Sequence, residues 1–212
     1  MDLDKIVKAL SSVPGVSAIA LGGSQSRKQA DSNSDYDIGL YYDMVNLNLT
    51  ALGDGLQSLD DNHRDQLLNP PGAWGPWING GAWITVAGTP VDILLRDVRR
   101  VTEVLQDCLA GKITIDYQCG HPFGFVNTIY AAETHFCAKL WQDAAAPLDA
   151  LKNLLYSEGP YPPMMRRALI QKFFWEAWFS LACGRKAALK GDIHYAVGSA
   201  FRAVGAWVEV LF

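Results

Sequence analysis

The chain is 212 residues long, half of them hydrophobic, with 18 Lys/Arg against 22 Asp/Glu and a formal net charge of −4. Such a mixture excludes a disordered chain and is expected of a soluble globular protein with one good core or two small ones. Its four cysteines are widely separated and share no zinc-ligand spacing with the four histidines, which excludes a disulfide framework and a zinc module. The charged N-terminus lacks a signal-peptide apolar region and no apolar run is long enough to span a bilayer, so no membrane partner and a cytoplasmic location are expected. Charge is unevenly divided: residues 1–150 hold 10 Lys/Arg against 18 Asp/Glu, and residues 151–212 hold 8 against 4. An acidic part suits metal ions and a basic part suits an anionic ligand, the alternative being two unevenly charged solvated surfaces.

In chain order, Leu3, Ile6, Val7 and Leu10 recur at helical spacing, and Pro14-Gly15 ends that segment. Val16–Leu21 reads as a buried strand running into Gly22-Gly23-Ser24, then a helical turn over Ser24–Ala30 and a polar loop over Asp31–Ser34. Asp35–Asp43 alternates as a strand, with Ile38, Leu40 and Tyr42 on one face and Asp35, Asp37 and Gly39 on the other. Thr50–Leu59 is predicted helical, and residues 62–82, rich in Pro and Gly, form a long loop. Trp83–Ala87 and Val91–Leu95 make a hairpin about Gly88-Thr89-Pro90, and Asp97 caps a helix to about Leu109. The remainder reads as helices over Phe125–Trp141, Leu148–Tyr156 and Met164–Leu189, then a last one to the C-terminus. The aromatic stretch Phe173–Leu181 is expected to be buried, and the apolar end Val208–Phe212 either docks into the core or marks a chain that naturally runs on. The expected class is α+β: a small mixed-sheet domain over 1–115, followed by an all-α helical bundle over 116–212.

Three fragments carry chemistry together: Gly22-Gly23-Ser24, Asp35-Tyr36-Asp37, and Asp92 within Val91-Asp92-Ile93. Asp35 and Asp37, two apart on a strand, share a face, and Asp92 sits in an apolar strand where a carboxylate is costly unless paired or metal-bound. If the two strands are neighbours, three carboxylates converge as a two-metal site for phosphoryl displacement requires. The glycine turn lets backbone N–H groups approach a phosphate, and Arg27 and Lys28 add positive charge for a triphosphate.

At these residues, Leu21-Gly-Gly-Ser-Gln-Ser-Arg27 and Asp35-Tyr-Asp-Ile-Gly-Leu-Tyr-Tyr42, with Asp92 as the third carboxylate, the chain resembles the DNA-polymerase-β-like nucleotidyltransferases, in their minimal and antibiotic-modifying branch. Gly120-His-Pro-Phe-Gly-Phe125, Tyr161-Pro-Pro163, Lys190-Gly-Asp192 and Phe201-Arg202 are similar to uncharacterised bacterial members. The resemblance implies two Mg²⁺ ions held by Asp35, Asp37 and Asp92, and an NTP, ATP first, bound by Gly22, Gly23, Ser24, Arg27, Lys28 and Lys190. It also implies transfer of a nucleoside monophosphate to an acceptor hydroxyl, in a cleft between the two domains. The acceptor is expected to be a small hydroxylated molecule; RNA, notably tRNA, or a protein is the second choice. A non-catalytic, antitoxin-like binding module is the rival of a different class. The branch usually has Gly where Lys28 stands, which bears on the turn and its phosphate contact.

Glu133 is the candidate general base from the helical part, with Glu176, flanked by aromatics, as another; an ion pair of Glu176 with Lys172 is the plainer reading. His121 is either a cleft residue or a structural histidine. Lys186, Lys190 and Arg202 either meet a triphosphate or form a solvated basic face. Trp74, Trp77 and Trp83 are candidates to stack on a base or an acceptor ring, with core filling accounting for at least one. No phosphate-binding P-loop, dinucleotide fingerprint or nucleophile elbow occurs.

Overall fold

A computed structural model describes residues 2–31 and 34–211. Part of the polar loop expected over Asp31–Ser34 and the terminal Phe212 therefore lie outside the described residues. The elements run α1 (Leu3–Ser11), β1 (Val16–Leu21), α2 (Gly23–Ser26), β2 (Tyr36–Tyr42), α3 (Leu49–Leu59), α4 (Gly75–Ile78), β3 (Gly81–Val86), β4 (Thr89–Asp97) and α5 (Val98–Leu109). They continue as β5 (Ile115–Asp116), β6 (Phe125–Val126), α6 (Ile129–Phe136), β7 (Ala138–Gln142), α7 (Pro147–Leu155), α8 (Pro163–Leu189) and α9 (Ile193–Leu211). The class is α+β: among the described residues, a five-stranded mixed sheet and a helical C-terminal part.

The chain divides into two compact units, residues 1–105 with 130–155, and residues 106–129 with 156–212. This differs from a single cut after residue 115, and the cause is one strand. The segment Phe125–Trp141, expected to be a continuous helix, is instead β6, α6 and β7, and β7 pairs antiparallel with β1. That pairing returns residues 130–155 to the first unit.

In the first unit the strand order is β3-β4-β2-β1-β7, with β2 and β4 parallel and the other neighbours antiparallel. The parallel pair is possible because the chain crosses over through α3, the long loop and β3 before returning. One sheet face is apolar by strict alternation. Ile38, Leu40, Val91, Ile93 and Leu95 are fully buried there, packed with Ile6 and Leu10 of α1 and Leu52, Leu56 and Leu59 of α3. Asp2 caps α1 by accepting from the Lys5 N–H, and Asn48 caps α3 by accepting from Ala51. The alternate residues of the same strands, among them Asp37, Tyr41, Asp92 and Arg96, make the second face, described below.

In the second unit α8 and α9 form a hairpin turned at Gly191-Asp192. Gly184 admits the close approach, since a Cβ there would lie 3.0 Å from that of Ser199. The aromatic stretch of α8 is not buried as a whole. Phe173 and Ala177 are, whereas Phe174, Trp175, Trp178, Phe179 and Leu181 are exposed, because a two-helix hairpin covers only one stripe of each helix. Among the described residues no helix is long and apolar enough to cross a membrane.

Candidate active site

The polar face of the first unit is organised as a row across the sheet. In β2 and β4 the parallel register sets Asp37 directly opposite Asp92, so both side chains leave the sheet on the same side. On the other side of Asp92 its antiparallel partner is Trp83 of β3. At the other end, the Gly22 N–H donates to the Asp37 carbonyl at 2.8 Å, which draws the glycine turn against β2. The order along the row is therefore glycine turn, Asp37, Asp92, Trp83.

The turn fits Asp37 so closely that a side chain at residue 23 would force the carboxylate to move. Gly23 has φ +58°, and a Cβ there would lie 1.7 Å from Oδ2 of Asp37. Ser24 follows in the single turn of α2, half-buried. Arg27 closes the turn, its Nε–H donating to the Gly23 carbonyl at 3.2 Å and its guanidinium lying 5.9 Å from the centre of the Phe136 ring. Lys28 is exposed and has φ +57°, the left-handed conformation that glycine adopts freely. The turn thus keeps the backbone shape that a glycine would have there, with a lysine in its place.

The acidic groups act on one another's charge. Burial pushes the Asp37 carboxyl above its ordinary value, and the charges of Asp35, Asp92 and Glu133 push it further, against the pull of Arg27. Asp92 is raised by burial and by Asp35, and held back by a hydrogen bond from the Trp83 side chain. Asp35, just ahead of β2, is exposed. The carboxylates feel one another's charge without converging on one point. Among the described residues no group of three or more His, Cys, Asp or Glu side chains stands close enough to hold a metal ion.

Glu133 reaches this neighbourhood from α6, but as the partner of a buried arginine. Arg96, 2% exposed, donates Nε–H to Oε2 at 2.8 Å and an Nη2 hydrogen to Oε1 at 2.7 Å, a bidentate pair. It also donates to the carbonyls of Ile78 and Leu95 and lies 5.2 Å from the centre of the Tyr130 ring. Burial works against the Arg96 charge, yet Glu133 more than offsets it and the guanidinium is raised overall. Both oxygens of Glu133 are committed to this pair, which argues against its expected role as general base. Arg96 went unnoticed in the sequence, although a lone arginine in the apolar run Ile93-Leu94-Leu95 was a signal.

Gly22 has its N–H committed to Asp37, so it shapes the turn and does not offer that donor to a phosphate. Lys190 belongs to the second unit, at the C-terminal end of α8. So does Glu176, which pairs with Arg202 of α9 and not with Lys172; Arg202 also donates to the Phe123 carbonyl at 3.1 Å. His121 packs edge-on against Phe125, 5.2 Å between ring centres. Trp77 is core, 6% exposed, with its carbonyl accepting from the Tyr130 hydroxyl at 2.6 Å. Trp74 and Trp83 stack on each other at 4.4 Å.

No family model matches this chain, and no curated protein matches it. Among solved structures it is similar to a nucleotidyltransferase-like protein from Exiguobacterium sibiricum, with 10% sequence identity and a TM-score of 0.44. That similarity covers 98% of this chain and 54% of the other, so the chain spans about half the length of that protein.

Proposed function

We propose that this chain is a magnesium-dependent nucleotidyltransferase that moves a nucleoside monophosphate from an NTP, ATP first, onto a hydroxyl of a small acceptor. The observation that carries this reading is the register pairing of Asp37 with Asp92 beside a glycine turn packed directly against the Asp37 carboxylate. Gly23 and Ser24 would face the β- and γ-phosphates, with Arg27 and Lys28 supplying positive charge. The residue types suit Mg²⁺: Asp37 and Asp92, opposite each other in register, would hold it with Asp35 nearby, all through hard carboxylate oxygens, and a divalent ion would offset both the burial and the mutual repulsion that raise Asp37 and Asp92. When bound, Mg²⁺ would polarise the phosphoryl oxygens and activate the attacking hydroxyl. Arg27 offsets part of the negative charge at Asp37, and Glu133, held by Arg96, adds to it. An acidic site of this kind suits a cationic or neutral hydroxylated acceptor better than an anionic one.

The spacing of the three carboxylates favours a second reading, a non-catalytic module that binds a nucleotide or a partner without turnover. Pyrophosphate release from each NTP with Mg²⁺, across hydroxylated small molecules, tRNA and protein, separates the two. Release with a small acceptor, abolished by Asp37→Ala and Asp92→Ala, is the expected result. Release with RNA or protein alone sinks the small-molecule assignment, and NTP binding without release under any condition favours the module.

A further inference from the structure

Trp83 stands at the far end of the row from the glycine turn, on β3, the edge strand of the sheet. It is 57% exposed, although its cross-strand partner Asp92 and its strand neighbours Ala82 and Ile84 are partly or wholly buried. It stands directly opposite Asp92 in the strand register, so the two side chains leave the sheet on the same side. It also stacks on Trp74, with 26° between the planes. Trp74 can lie there because residue 81 is glycine: a Cβ at Gly81, where φ is +152°, would come 3.0 Å from the Trp74 ring and 1.8 Å from the Ile93 carbonyl. An exposed ring set beside a site carboxylate and backed by a second ring is a platform with little freedom left to lose on binding.

We infer that Trp83 is the stacking surface for the nucleobase of the NTP. The inference rests on the proposed function and adds a subsite to it. A triphosphate laid along the row, with its terminal phosphates at the glycine turn and its α-phosphate over Asp37 and Asp92, points its nucleoside toward β3. Neighbouring strands are about 4.8 Å apart, so Trp83 begins one strand beyond Asp92, within reach of a base carried on a ribose. Stacking tolerates any base, since each presents a flat π-face, which makes Trp83 a determinant of affinity more than of base choice.

The test is calorimetric binding of ATP and of inorganic tripolyphosphate, both with Mg²⁺, to the full chain and to Trp83→Ala and Trp83→Phe. Trp83→Ala is expected to weaken ATP about tenfold or more while leaving tripolyphosphate within about twofold. Trp83→Phe, which keeps a flat ring beside Asp92 but has no indole N–H, is expected to retain most of the ATP affinity. Equal loss for both ligands in Trp83→Ala would show that Trp83 acts through Asp92 alone and overturns the inference, as would unchanged ATP binding. If the unmodified chain binds neither ligand, the nucleotidyltransferase reading itself fails and the subsite goes with it. If it binds both and Trp83→Ala changes neither, only the stacking role falls.

Discussion

At the scale of single residues the site depends on what is missing as much as on what is present. Gly23→Ala places a methyl group where Oδ2 of Asp37 sits and asks an L-residue to hold φ +58°. The backbone cost is about 1–2 kcal/mol, too little to unfold the chain, while Asp37 must leave its position. Near-normal thermal unfolding with loss of pyrophosphate release is the expected pair of results. Arg96→Ala behaves in the opposite way. It leaves Glu133 facing a void in the sheet and strips the Ile78 and Leu95 carbonyls of a donor, and breaking such a buried pair costs about 3–5 kcal/mol. A large drop in unfolding free energy, measured by urea denaturation, checks this. The chemistry-bearing residues were largely legible, because Asp35, Asp37 and Asp92 stand out against apolar alternation. The Arg96–Glu133 pairing was not, since it joins residues 37 apart through the tertiary packing of α6, which spacing along the chain does not show.

Among the elements, α3 and β3 are joined by one carboxylate at the helix end. Asp60 is fully buried and accepts from Arg64 Nε–H at 2.9 Å, from Arg64 Nη2 at 2.7 Å and from the Thr85 N–H at 2.9 Å. The hydrogen bonds from Arg64 hold its carboxyl far below the ordinary 3.8, against the effect of burial. A depressed carboxylate contributes stability that is present above its unfolded pKa and is lost as pH falls through the folded one. Asp60→Asn should therefore destabilise the chain by about 1.5–3 kcal/mol at pH 7, with the gap to the unmodified chain closing as pH falls below about 4. Melting curves over that range check the sign. The early strands and the helices α1, α3 and α5 were readable within a residue or two because turns punctuate them: Pro14-Gly15 before β1, Gly22-Gly23 after it, Ala87-Gly88 between β3 and β4; α2 stops four residues before the expected Ala30, and the short α4 lies within the expected loop. Between α6 and β7 there is no such punctuation. The run Phe136-Cys137-Ala138-Lys139-Leu140 carries neither Gly nor Pro, and an edge strand with one paired side shows weak alternation.

For the whole molecule, the consequence is that the first unit is not contiguous in sequence. A fragment ending at residue 115 would keep β1–β4 but lack β7 and α7, leaving the hydrogen-bonding edge of β1 open. Such an edge is a template for pairing with other chains, so the fragment is expected to aggregate, whereas residues 1–155 should stay dispersed. Light scattering of the two purified fragments at equal concentration checks this.

Because β7 closes the sheet from beyond residue 137, translation matters as well. A ribosome adding about 5–20 residues per second leaves β1 waiting for its outer neighbour for several seconds after β4 has emerged. During that interval the nascent chain carries its acidic row on a sheet that is still one strand short, and a chaperone or a second nascent chain has its best access to it then.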